Sequence, residues 1–121
     1  FVATPMTPET VNLMSRERLA RMKPGAGIIN IGRAGTMDYD ALVEFLGTGQ
    51  IGGAILAVFD PEPLPAESPL WTTPNLMVMP HISADDGDTY IETTLNIFLS
   101  NMRRFIAGDP LHNIVRPELG Y

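Results

Sequence analysis

No cysteine occurs in the 121 residues, which excludes a disulfide framework and any thiolate metal site. That absence fits a reducing compartment, and a cytoplasmic location is the expectation. Charge is sparse as well. Asp, Glu, Lys and Arg make up 18% of the chain, and the net charge is -6 with eight Lys+Arg. An acidic chain without a basic cluster is a poor partner for nucleic acid or an anionic membrane, so neither is expected. Uninterrupted apolar runs are about strand length, far short of the ~20 residues of a membrane-crossing helix. Phe1-Val2-Ala3 lacks the basic flank and apolar stretch of a signal peptide. A start at Phe rather than Met leads to the expectation that this is part of a longer chain. What the sequence does have is 45% hydrophobic residues, enough for one buried core.

Strand-like and helix-like stretches alternate. Phe1 to Ala3 leads into Thr4-Pro5, where proline ends any strand. Leu13 to Met22 reads as a short helix with Ser15 as N-cap, stopped by Lys23-Pro24-Gly25. Gly27 to Ile31 is a buried strand. Asp38 to Thr48 is a helix with Ala41, Leu42, Phe45 and Leu46 on one face and Gly49 after it. Ala54 to Phe59 and Leu76 to Met79 are further apolar strands, separated by a proline-rich loop from Asp60 to Pro74. A long helix is expected from about Asp85 to Ala107, its stripe stepping through Ile91, Leu95, Phe98, Met102 and Phe105. Apolar strands alternating with helices predict an open α/β fold with a parallel sheet covered on both faces.

Ligands of such sheets bind beyond the carboxyl ends of the strands. Arg33, Glu62 and His81 each follow one predicted strand, and Thr4 ends the opening segment. Alone, each is an ordinary surface or structural group. Together at one sheet edge they form a constellation. A guanidinium takes a carboxylate through two parallel hydrogen bonds. A histidine exchanges a proton with a hydroxyl or carbonyl near neutral pH. A neighbouring glutamate favours the imidazolium and fixes the ring's tautomer. The set suits proton-coupled hydride transfer at a carbon beside a carboxylate.

Other motifs fail. Gly25-Ala26-Gly27 starts like a dinucleotide fingerprint but precedes a strand instead of following one. His81 and His112 are too far apart for a helical zinc pair, and Asp85, Asp86 and Asp88 lack the other ligands of a calcium loop. No metal is expected. The acidic trio suits the first turn of the long helix, and the seven Met residues suit core filling.

The ordered set T-P-M-T-P-E-T (4 to 10), M-K-P-G-A-G-I-I-N-I-G-R-A-G (22 to 35), D-Y-D-A-L (38 to 42), V-F-D-P-E-P-L-P (58 to 65), S-P-L-W (68 to 71) and M-P-H-I-S (79 to 83) resembles the D-isomer-specific 2-hydroxyacid dehydrogenases. The E-P-L-P-x-E-S-P-L-W run and the final G-Y are most similar to the glyoxylate/hydroxypyruvate reductase branch. The resemblance implies a partial Rossmann-type parallel sheet with flanking helices, plus a long C-terminal helix. It implies that Arg33 binds the substrate carboxylate and polarises the keto group, that His81 is the acid/base, and that Glu62 is its partner. Formate dehydrogenases of the superfamily carry Gln at that last position, so Glu62 points to the hydroxyacid members. Thr4, Ile31, Gly32, Arg33, His81, Ser83 and Ala84 would touch the cofactor, NAD or NADP.

The resemblance also carries expectations about what is missing. The family's Asp beside the nicotinamide carboxamide is here Ala57. The G-x-G-x-x-G turn would lie upstream of residue 1. Residues 1–108 would then be the C-terminal portion of a dinucleotide-binding domain, and 109–121 an irregular tail packing on a substrate domain. The whole protein would be a homodimer acting on a small 2-keto or 2-hydroxy acid, and this stretch alone would be inactive. Ala57 leaves a second class open, a non-enzymatic nucleotide-binding or corepressor-like protein on the same scaffold.

Overall fold

The computed structural model describes residues 1–82 and 86–119. Contacts divide the chain into two units, Phe1–His81 and Ile82–Tyr121. The first unit holds α1 (Arg16–Ala20), β1 (Ala26–Asn30), α2 (Tyr39–Gly47), β2 (Ile51–Leu56) and β3 (Leu76–Val78). Short 3-10 turns lie at Ala34–Thr36 and Pro69–Thr72. The strands form a parallel sheet in the order β1-β2-β3, with Ile28 opposite Ala54 and Ala54 opposite Leu76. Val2 extends this order by bridging Asn30 in parallel. The open α/β expectation therefore holds.

The differences in element bounds have local causes. Helix α1 is shorter than Leu13 to Met22 because Met14 is drawn into a bridge with Met37, leaving helix only from Arg16 onward. Ser15 is the N-cap residue, but its hydroxyl donates to Glu17 (2.7 Å) and makes no cap bond. Strand β2 starts three residues before Ala54, at Ile51, because its glycines permit a close approach. A Cβ on Gly52 would lie 2.4 Å from the Gly25 carbonyl oxygen. Ala57 and Val58 stay buried after leaving the ladder. In α2 the Asp38 carboxylate accepts from Ala41 N–H (2.9 Å), satisfying one of the helix's free donors.

Leu19, Leu42, Leu46, Ile51 and Leu56 are buried in the core. This core lies on the sheet face lined by Ile28, Ala54 and Leu56. The opposite face, with Ile29, Ile55 and Met77 in one row, has no covering element within the unit. It bears a depression of about 620 Å³ lined also by Phe1 and Leu76. The expectation of two covered faces is thus corrected for this unit. Connections of constant hand advancing in one direction across a parallel sheet all land on the same face.

The second unit is dominated by α3 (Tyr90–Ala107). It begins later than expected because the Asp86 carboxylate accepts from Asp88 N–H (3.0 Å) and from the Thr89 hydroxyl, holding a turn ahead of the helix. The acidic residues therefore precede the first turn, and Asp85 lies outside the described residues. Gly108, at φ 76, closes the helix in the left-handed conformation. The stripe residues Ile91, Leu95, Phe98, Met102 and Phe105 are all exposed. Among the described residues no helix is long and apolar enough to cross a membrane.

Candidate active site

Three consecutive chain segments leave the sheet at its carboxyl edge, and each delivers one expected site residue. The first leaves β1 at Asn30. Ile31 N–H donates to the Val2 carbonyl (2.9 Å), pinning the opening segment beside the turn that follows. Thr4 consequently sits so close to Gly32 that a Cβ there would be 2.6 Å from the Thr4 carbonyl oxygen. Arg33 is exposed and in extended backbone conformation. Its carbonyl accepts from the Thr36 hydroxyl (2.6 Å) and from Asn30 Nδ2 (3.2 Å). One guanidinium N–H is spent on the Gly32 carbonyl (2.8 Å). Among the described residues Arg33 makes no salt bridge, so most of its five donors face solvent or a ligand.

The second segment leaves β2 and turns through Asp60-Pro61-Glu62-Pro63. Glu62 folds back, one carboxylate oxygen accepting from Phe59 N–H (2.7 Å) and the other meeting His81 Nδ1 (3.1 Å). The third segment leaves β3, held by Met79 N–H on the Leu56 carbonyl (2.8 Å), and places His81 two residues later. Their side chains are 38% and 41% exposed, so the pair is reachable from solvent.

The Glu62 carboxyl is held below the usual carboxylate range, first by the Phe59 amide, then by His81, with the Arg33 charge adding to it. All three expected groups are therefore brought to one edge. A carboxylate that stays ionised accepts only, so Nδ1 of His81 carries the hydrogen between them. Nε2 is the ring nitrogen left free of Glu62. The bonds that Glu62 makes therefore persist at neutral pH and are lost only as pH falls through that lowered range.

Of the remaining expected residues, Ile31 is 46% exposed, while Ala57 is 7% exposed with its amide on the Asn30 carbonyl (3.0 Å). Its methyl offers no hydrogen bond. Ser83 and Ala84 lie outside the described residues. Three residues that bear on the site escaped the sequence reading. Asn30 and Thr36 are fully buried, and the Tyr39 hydroxyl donates to the Val58 carbonyl (2.7 Å). Asn30 left a usable signal, being a lone amide inside an apolar strand, where a buried polar group requires partners.

Residues 1–83 match the NAD binding domain of the D-isomer specific 2-hydroxyacid dehydrogenases. The chain belongs to this family. Among its relatives is glyoxylate/hydroxypyruvate reductase B of Pectobacterium carotovorum, 42% identical over 98% of this chain and 37% of that protein. The D-isomer specific 2-hydroxyacid dehydrogenase of Xanthobacter autotrophicus Py2, solved with NADPH and MES, superposes with TM-score 0.89 at 42% identity, covering 99% of this chain and 48% of that one. The NADPH-dependent glyoxylate/hydroxypyruvate reductase of Sinorhizobium meliloti, solved with NADP and sulfate, gives TM-score 0.88 at 33% identity over 98% and 38%. The chain thus spans little more than a third of the curated relative that it matches.

The dehydrogenase fold makes the Thr4–Gly32 contact a sensitive one. Among the described residues Thr4 Oγ1 is buried without a hydrogen-bond partner. A buried hydroxyl left open in this way suits a ligand's polar group, which fits a dinucleotide lying along this edge. Gly32→Ala drives a methyl into the Thr4 backbone, which has no flexible end to yield. The expected cost is about 1–3 kcal/mol of stability, together with weakened dinucleotide binding, read by thermal unfolding and by cofactor titration of the whole protein.

Proposed function

We propose that the whole protein reduces a small 2-keto acid of the glyoxylate or hydroxypyruvate class, using NADH or NADPH. The observation that carries this is the Glu62–His81 hydrogen bond at 3.1 Å on the same sheet edge as Arg33. Arg33 takes the substrate carboxylate in its guanidinium fork and polarises the neighbouring carbonyl. Glu62 holds the His81 ring through Nδ1, and protonated Nε2 gives its proton to the carbonyl oxygen. Thr4, Ile31, Gly32, Arg33, Ala57 and His81, followed by Ser83 and Ala84, would hold the dinucleotide. When bound, its nicotinamide supplies the hydride for carbon 2.

The same proposal includes a homodimer in the cytoplasm, without nucleic-acid or membrane partners. Residues 1–108 then form part of the dinucleotide domain, and 109–121 form a tail against the substrate domain. Support for these points is the family resemblance and the acidic, cysteine-free composition.

Ala57 favours a second reading, a nucleotide-binding or corepressor-like protein without turnover, because a methyl cannot hold a carboxamide. Cofactor affinity and reduction of glyoxylate and hydroxypyruvate, measured in parallel on the whole protein, separate the two. Turnover with either nucleotide supports the reductase. Tight binding with no turnover, and turnover appearing in Ala57→Asp, supports the second.

A further inference from the structure

We propose that Asn30 and Tyr39 are positioning residues, joined in one hydrogen-bonded strut that fixes the Arg33 turn relative to the Glu62–His81 pair. Asn30 lies at the end of β1 and is 0% exposed. Its carbonyl oxygen accepts from Gly32 N–H (3.0 Å). Its amide nitrogen reaches the Arg33 carbonyl (3.2 Å), the Tyr39 hydroxyl (3.3 Å) and Thr36 Oγ1 (3.5 Å). Tyr39, in the first turn of α2, donates its own hydroxyl hydrogen bond to the Val58 carbonyl (2.7 Å). Val58 directly precedes Phe59, whose N–H holds Glu62 (2.7 Å), and Glu62 in turn holds His81 (3.1 Å). A continuous path therefore runs from the carboxylate-binding turn to the proton-transferring ring.

The chemistry of the path is unidirectional. An amide nitrogen only donates, so the Tyr39 oxygen accepts from Asn30 and is free to donate to Val58. Burial pushes the Tyr39 hydroxyl up to about 12, which keeps that donor protonated throughout the working pH range. A buried apolar residue at position 30 would pack without desolvation cost. The amide instead satisfies the Gly32 N–H, which neither a helix nor a ladder pairs, and joins Thr36 N–H (3.2 Å) on the Arg33 carbonyl. Its partners are those of the site edge. Displacing a reacting group by ~1 Å costs rate on the order of a hundredfold, so a strut of this kind has a catalytic consequence.

The strut rests on the roles given to Arg33, Glu62 and His81 above, and two variants of the whole protein test it. Tyr39→Phe removes one oxygen and frees the Val58–Phe59 corner while Asn30 keeps its bonds to Gly32 and Arg33. The expected result is a kcat for keto-acid reduction about tenfold lower with KM within about twofold. In a Glu62→Gln background the same change should cost less than about twofold, because coupled groups are not additive. Thr36→Val instead removes the shortest bond to the Arg33 carbonyl, leaving those from Asn30 Nδ2 and Thr36 N–H, and should raise keto-acid KM about fivefold with kcat within about twofold.

Equal losses in kcat and KM for both variants, additive losses in the Glu62→Gln background, or an unchanged kcat in Tyr39→Phe would overturn the strut. Amide hydrogen exchange supplies a readout that needs no turnover. In Tyr39→Phe the Phe59 amide should exchange about tenfold faster while Leu56 in β2 is unchanged. Unchanged Phe59 exchange overturns the strut, whereas faster exchange in a protein without turnover removes only the catalytic roles. If Tyr39→Phe does not fold, Thr36→Val decides alone, an unchanged KM counting against the strut.

Discussion

His81→Gln in the whole protein should lower kcat for keto-acid reduction by about 10²–10⁴-fold, the range that general acid catalysis contributes. The amide of Gln can still meet Glu62, so the turn at the sheet edge is kept, but it has no proton to give at neutral pH. Because His81 is exposed, unfolding temperature should stay within the small range of surface substitutions. KM should change little, since the ring's interaction strengthens only as charge develops on the carbonyl oxygen. The pH profile carries the same information. Glu62 is already ionised at neutral pH, its carboxyl being held low by the Phe59 amide and His81. Any pH dependence that the proton donor gives to reduction should be absent in His81→Gln. Unaltered turnover in His81→Gln would remove the acid/base assignment.

Arg33→Ala should cost about 10²–10⁴-fold in kcat/KM, the equivalent of losing two charge-assisted hydrogen bonds. Arg33→Lys should recover only part of this. An ammonium supplies charge without the planar fork that orients a carboxylate. The comparison that isolates the role is substrate-based: a ketone lacking the carboxylate should be reduced equally poorly by all three proteins. If Arg33→Ala discriminates against that ketone as strongly as the unsubstituted protein does, the carboxylate is bound elsewhere. The backbone around Arg33 is held by Asn30 and Thr36 through its carbonyl, not through its side chain. The substitution therefore leaves the turn in place and tests the guanidinium alone.

Much of this was legible in the chain itself because the signals are local. A run of apolar residues between glycines specifies a buried strand, and Asp38 three residues before Ala41 specifies the start of α2 through a bond made within one turn. The positions of Arg33, Glu62 and His81 just past three strands placed them at one edge, since parallel strands all end on the same side. Bounds were less legible where long-range pairing intervened. Met14 left its helix for Met37, and β2 gained Gly52 only because Gly25 approaches it from another segment.

What the sequence alone determined, then, is the succession of strands and helices and the residues that reach the ligand edge. Both follow from periodicity and from the direction of a parallel sheet. Only the tertiary structure decided which groups meet. It set Glu62 against both Phe59 N–H and His81, left Thr4 Oγ1 buried beside Gly32 with no partner among the described residues, and tied Asn30 through Tyr39 to Val58. Those hydrogen bonds join residues up to 19 positions apart, as from Tyr39 to Val58 and from Glu62 to His81. Hydrogen-bond partners at such separations depend on distances of a few tenths of an ångström, which no local pattern encodes.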